Sequence, residues 1–389
     1  MKKFFSFLPA RLIVGVILGI IIGLFANENL MQVLVPIKNI LGQLISFIVP
    51  IIVIGFIAPS ITKLGLNATK MLGLALILAY ASSVLAAICS MLSGYVIIPT
   101  LTIANVSEGL KELPKDIFAL SIPQIMPVMS ALVFAIIIGL SAAWTKSQTI
   151  IQLLNEFQKM VLDIVSKIVI PILPFFIACT FATLSYEGSI TNQLPIFLII
   201  ILIVILGHYI WLFVLYGIAG LYSGKNPLEV IKNYGPAYLT AIGTMSSAAT
   251  LAVSLKCAKK SSSDVLRGDM IDFGIPLFAN IHLCGSVLTE VFFVMTISKV
   301  LYGQIPHLST MLLFCILLAI FAIGAPGVPG GTVMASLGLI SGILNFDASG
   351  IALMLTIFAL QDSFGTACNV TGDGALTMIL SSYANKHSI

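Results

Sequence analysis

The chain has 389 residues, of which 59% are hydrophobic and only 9% charged, with a mean hydropathy of +1.12, whereas about a quarter of the residues in soluble domains are charged. That balance excludes an ordinary soluble domain and indicates a multi-spanning membrane protein. The formal net charge of +4 sits mostly in short loops between apolar runs, where it reports orientation and implies no nucleic acid partner.

The N-terminal stretch MKKFFSFLPARL runs straight into an apolar segment long enough to stay in a bilayer, so the first helix is expected to be retained rather than cleaved. Apolar runs that could span as helices lie at about 10–25, 34–58, 70–98, 117–143, 161–185 and 194–222. Turn-rich or charged boundaries separate them: ANENL, TKLGLNATK, EGLKELPKD, TKSQT, SYEGS and SGKNP. With the N-terminus inside, Lys63, Lys70, Lys146, Lys225 and Lys232 fall on the same side as Lys2, Lys3 and Arg11. That side is expected to be the cytoplasm. Cys89, Cys179, Cys257, Cys284, Cys315 and Cys368 form no C-x-x-C pair and read as reduced packing residues.

From residue 226 onward the apolar pieces shorten, broken by 244-TMSSAAT-250, 280-NIHLCGS-286 and 324-GAPGVPGGT-332. The pieces flanking the first and third breaks are each about half a bilayer long, which predicts two helical hairpins that enter and leave from one side. Irregular backbone at membrane depth is tolerated only where protein buries it or where it lines a polar cavity. A pair of interrupted segments in corresponding positions is a sequence pointer to a transporter binding site. Lys256, Lys259, Lys260 and Arg267 fit a cytoplasmic return of the first hairpin, so the second, after a span at about 270–300, would enter from outside.

The last segment, 358-FALQDSFGTACNVTGDGALTMIL-380, carries Asp362 and Asp373 with no lysine or arginine beside them. A bare carboxylate in hydrocarbon costs several kcal/mol, roughly 3 on insertion scales. On a helix Asp362, Thr366, Asn369 and Asp373 fall on one stripe ~16 Å long. Thr and Asn in such a stripe could simply bond neighbouring helices. The aspartates point instead to a metal cation or a substrate ammonium, and the oxygen-rich Asn369-Val370-Thr371-Gly372-Asp373, with free carbonyls, suits a hard ion such as sodium. The Ser246-Ser247 break offers a helix N-terminus that favours a carboxylate, against the alternative of a small-residue packing seam. GAPGVPGGT cannot be a continuous helix and reads as a hairpin tip and gate; no Walker-type motif is present. His282 and His208 read as packed histidines, with a proton relay as the alternative for His282. Glu290 is a further intramembrane carboxylate without an assigned partner.

These motifs resemble the dicarboxylate/amino acid:cation symporters with the glutamate-transporter fold. MSSAATL resembles the first hairpin's serine-rich tip, GAPGVPGG the second tip and DSFGTACNVTGD the last helix. The resemblance implies an all-α polytopic fold of eight transmembrane helices plus two re-entrant hairpins, assembled as a homotrimer. It implies a scaffold of residues 1–68 and 117–190. The moving elevator unit would comprise 69–100 and 191–389, with hairpin 1 at about 226–258, hairpin 2 at about 306–345 and the last helix at about 350–385. Asp362 would hold the substrate's amino group and Asn369 its carboxylate. Ser246 and Ser247 and the backbone from Val328 to Gly331 would close the pocket, with Thr366 and Ser286 lining it. Asp373, with carbonyls near Phe278, His282 and Asn369, would form one sodium site. Backbone groups around Asn280, Leu283 and Ala322 to Ala325 would form a second.

Two departures from the family pattern matter. Gly365 stands where acidic-substrate members place an arginine, and Cys284 stands where the family's N-M-D-G-T motif has the aspartate of a third, deeper sodium site. The expected protein is therefore a symporter of small neutral amino acids such as serine, threonine or alanine, coupled to sodium through two or fewer sites. It is placed in the plasma membrane of a prokaryote with both termini cytoplasmic. The alternatives are an acidic amino acid or C4-dicarboxylate carrier, an ion channel, and an intramembrane enzyme, for which no nucleophile–base pair is found.

Overall fold

The computed structural model describes residues 8–65, 70–101, 113–114, 118, 120–123, 125–188, 190–261, 264–325, 327 and 329–387. These are helices and connecting turns, with no strand among them. In chain order they are α1 (Leu8–Phe25), α2 (Glu28–Gly65), α3 (Lys70–Ile97), α4 (Val128–Thr145), α5 (Gln148–Ile164), α6 (Ile170–Glu187) and α7 (Ile190–Ser223). A single turn, Leu228–Ile231, precedes α8 (Gly235–Thr244) and α9 (Ser247–Lys259). The rest are α10 (Gly268–Ile281), α11 (Cys284–Tyr302), α12 (Leu308–Gly324), α13 (Gly331–Ile343) and α14 (Ala348–Lys386).

Helices α1, α2, α4, α5 and α6 pack mainly on one another. The α1–α6 contact is a backbone-to-backbone approach. Gly15, Gly19 and Gly23 face the carbonyls of Pro174, Ala178 and Ala182, and a Cβ at Gly15 would lie 2.7 Å from the Pro174 oxygen. Small residues four apart permit this closeness, the usual way helices associate in lipid. The Thr62 hydroxyl donates to the Gly139 carbonyl (3.1 Å) and ties α2 to α4.

The remaining helices surround α11 and α14. Both are buried along most of their length by α3, α7 and the arms of two helical hairpins, α8–α9 and α12–α13. At 10, 13, 17 and 13 residues the arms are ~15–26 Å long, too short to cross the ~30 Å hydrocarbon layer. Among the described residues, four helical stretches, Lys70–Thr100, Ile196–Ser223, Gly268–Tyr302 and Ser349–Lys386, are long and apolar enough to span it. Large apolar side chains such as Leu202, Leu206, Phe213 and Leu221 stand exposed on α7, as suits a lipid-facing surface.

The structure departs from the sequence-based expectation in three places. The fourth helix begins at Val128 rather than near 117, after Pro123 and Pro127, because proline removes backbone donors and disfavours helix before it. The chain turns at Lys146–Ser147 within the expected TKSQT boundary, but the residues after it, left outside the expected spans, form the helix α5, which runs into α6 through a π turn at Val165–Val169. Its Leu154 and Val161 are buried while the Glu156–Lys159 and Asp163–Lys167 pairs lie exposed. Finally, α14 is helical throughout. The N-V-T-G-D segment therefore does not unwind to free its carbonyls.

Candidate functional site

Both hairpin tips and the α10–α11 break meet the middle of α14. Helix α8 ends at Met245, whose φ of 52° is left-handed, and Ser246 is extended. The Ser246 hydroxyl caps α9 by accepting from Ala249 N (3.2 Å) and donates to the Gly327 carbonyl (2.5 Å). One serine thus ends a helix and joins the two tips. Gly327 packs between the first tip and α10: a Cβ there would lie 3.4 Å from Ala279 O and 3.5 Å from Ala248 N, at ordinary contact distance. Gly330, at φ 72°, begins α13 and donates its N–H to Asp362 Oδ2 (2.7 Å).

Farther along α14, the Asn369 side-chain oxygen accepts from the N–H groups of Gly285 (2.7 Å) and Ser286 (3.2 Å). Its amide nitrogen donates to Ser286 Oγ (2.9 Å). These groups are the unpaired start of α11, which any helix N-terminus must satisfy somewhere. The close fit depends on Gly285, where a Cβ would stand 2.5 Å from the Gly365 oxygen.

A cavity of only about 10 Å³ lies among these elements. Asp362, Thr366 and Asn369 line it from α14, with Ser286 and Leu283 from the break. Met245 and Ser247 close it on one side, and Gly327 and Thr332 on the other. Its volume is roughly the room of one water, far below the ~300 Å³ at which pockets for drug-sized ligands begin, so the two tips, joined by the Ser246–Gly327 bond, stand closed on it. Among the described residues, no arginine or lysine lines it.

Most residues singled out for the substrate come together here. Gly331 is buried in the first turn of α13. Gly365 turns toward the break, where a Cβ would sit 3.4 Å from Cα, N and Oγ of Ser286. Val328 lies outside the described residues. Met245 and Thr332 were not singled out, although each lies within a tip motif, TMSSAAT and GAPGVPGGT respectively. Asn369, expected to hold a substrate carboxylate, is largely committed to the α11 N-terminus; of its two N–H donors, one remains.

The residues expected around sodium meet protein partners. Asp373 Oδ1 is 2.9 Å from His282 Nδ1, and both side chains are buried. The Phe278 carbonyl accepts from His282 N (2.9 Å), and the Asn280 amide donates to Pro276 O (2.8 Å). Leu283 is the buried, non-helical residue before α11. Ala322 O accepts from Ala325 N (3.2 Å) at the C-terminus of α12. His208, read as a packing residue, is 3.0 Å from Gly285 O and 2.9 Å from Thr289 Oγ1, and Thr289 donates to Gln361 Oε1 (2.9 Å). Glu290 accepts from Ser336 of α13, so it faces the second hairpin.

A model of the sodium:dicarboxylate symporter family matches residues 8–383. Among similar proteins are three described as neutral amino acid transporter B(0). The one from Bos taurus is 28% identical over 67% of this chain and 48% of its own length. The one from Homo sapiens is 27% identical over the same shares, and the one from Mus musculus 29% identical over 67% and 47%. The chain spans about half the length of these curated relatives.

Proposed function

Because the chain belongs to the sodium:dicarboxylate symporter family, we propose that it carries small neutral amino acids such as serine, threonine or alanine across a membrane, driven by sodium. The observation that carries this reading is the charge inventory of the cavity among the described residues: one carboxylate, Asp362, and no lysine or arginine. Asp362 receives the substrate ammonium. The N-terminal ends of α9 and α13, at Ser246-Ser247 and Gly330-Gly331, together with the remaining Asn369 N–H, favour the substrate carboxylate. Nothing is left to neutralise a second carboxylate. Burying one unpaired costs several kcal/mol, and roughly 1.4 kcal/mol is a tenfold loss in affinity. The description of the relatives as neutral amino acid transporters supports the same substrate class.

Transport proceeds by movement of one unit against the other. The moving unit is 69–100 with 191–389, the scaffold 1–68 with 117–190, and three copies of the chain assemble through their scaffolds. The mutual packing of α1, α2, α4, α5 and α6, apart from the cluster around α11 and α14, supports this division. Substrate binding replaces the Gly330–Asp362 bond, so the α12–α13 tip opens and closes over the cavity. Sodium is carried as a co-substrate, with oxygens at the α10–α11 break and the end of α12, near Asn280, Leu283 and Ala322, as its ligands. The location is the plasma membrane of a prokaryote, with both termini in the cytoplasm.

The test is competition of labelled serine uptake by excess aspartate at fixed sodium, in the wild type and in Gly365→Arg. Aspartate is expected to compete poorly with the wild type and to gain in the variant, whose side chain starts against Ser286 beside the cavity. Equal competition by aspartate and serine in the wild type selects the acidic amino acid or dicarboxylate carrier instead.

A further inference from the structure

Asp373 is buried in α14, and its partner is an imidazole rather than a set of open oxygens. His282 Nδ1 lies 2.9 Å from Asp373 Oδ1, and Nε2 lies 2.9 Å from Ser82 Oγ of α3. An ionised carboxylate only accepts, so Nδ1 carries the proton of the first bond. The ring is fully buried, edge-on to Phe278 at a centroid distance of 6.4 Å. It bridges three elements: α3, the α10–α11 break and α14. Gly372 makes room for it, since a Cβ at that position would lie 2.9 Å from His282 Cε1.

A hard cation needs several oxygen ligands at once. Backbone oxygens around Asp373 already have donors, since Thr371 O accepts from Tyr216 OH (2.8 Å), Asp373 O from Thr377 Oγ1 (2.8 Å) and Phe278 O from His282 N (2.9 Å), while the Thr371 hydroxyl is buried with no protein partner. Asn369 Oδ1 takes two N–H groups of α11. The imidazole N–H stands against Oδ1 where an ion would have to approach it, and it gives the buried carboxylate one directed donor. A buried charge left alone would be costly, and a directed N–H supplies the partner it needs.

We infer that His282 is a built-in substitute for a coupling cation at Asp373: its imidazole N–H fills the place an ion would take, bridged to Ser82, and sodium does not bind there. The inference rests on the sodium-symporter reading and narrows it, leaving coupling to the oxygens at the α10–α11 break and the end of α12.

The experiment compares thermal unfolding midpoints of the purified chain in sodium chloride and in choline chloride, because an ion that binds only the folded state raises the midpoint. Asp373→Asn is expected to keep the wild type's sodium-induced shift unchanged. His282→Asn, which trades the ring for a smaller side chain with an oxygen, is expected to show a larger shift than the wild type. That gain is expected to vanish in His282→Asn/Asp373→Asn. Loss of the wild-type shift in Asp373→Asn overturns the inference, and so does a folded His282→Asn with no gain. If His282→Asn fails to fold, the Asp373→Asn comparison decides alone. A wild type with no sodium response tells against the sodium-symporter reading, and the gain in His282→Asn then decides the inference separately.

Discussion

The α1–α6 pair and the α11–α14 pair solve the same packing problem with opposite chemistry. Glycines at 15, 19 and 23 bring α1 onto the carbonyl face of α6 and spend almost no side-chain polar atoms. Between α11 and α14 one glycine, Gly285, permits the approach, and the contact is then filled by Asn369, Ser286, Thr289 and Gln361, all buried and hydrogen-bonded. Lipid gives no hydrophobic reward for bringing helices together, so tight van der Waals contact is enough to fix a static pair. Buried amides and carboxylates are costly to leave unmatched, and their concentration in one pair is where the proposed polar cargo would be received.

The largest expected effect breaks the comparison at its polar end. Asp362→Asn is expected to reduce serine uptake at least about 100-fold, ~2.7 kcal/mol, with little change in unfolding midpoint because an amide oxygen still accepts from Gly330 N. Near-normal uptake would mean that the substrate ammonium is received elsewhere. Asn369→Ala strands the Gly285 and Ser286 N–H groups, at ~1–3 kcal/mol for each buried donor. A loss of ~2–4 kcal/mol in unfolding free energy is expected together with reduced uptake, and a loss below about 1 kcal/mol would indicate that water replaces the amide. At the apolar end, Gly19→Ala pushes a methyl into the α6 backbone and is expected to cost ~1–3 kcal/mol. The folded fraction should keep its serine affinity; a changed affinity would show that the two pairs are coupled. The smallest effect is that of Ser246→Ala, ~1 kcal/mol for a lost helix cap, measured in the same unfolding assay.

Much of the polar pair was legible in the sequence. The stripe Asp362, Thr366, Asn369 and Asp373 follows from helical spacing alone, and Ser246-Ser247 and GAPGVPGGT announce breaks by composition. What could not be read was the partner of each group. Asn369 turns to the start of α11 because a helix N-terminus needs acceptors, and that need belongs to the other helix. Asp373 meets His282 across 91 residues of chain, a pairing that no local pattern encodes. Helix α5 was missed for a different reason: its alternation of Leu154 and Val161 with charged residues is amphipathic and lacks the continuous apolar run used to mark spans. The Gly15, Gly19, Gly23 spacing was in plain view and would have indicated the close approach of α1 to a neighbour.

The central claim is sodium-driven uptake of a neutral amino acid through the cavity between the two hairpin tips and α14. Its most direct test is labelled serine accumulation in proteoliposomes with sodium outside, compared with choline outside and with sodium at equal concentration on both sides. Accumulation above equilibrium is expected only with the inward sodium gradient, and it is expected to be lost in Asp362→Asn. Accumulation that is indifferent to sodium, or that survives in Asp362→Asn, would contradict the claim.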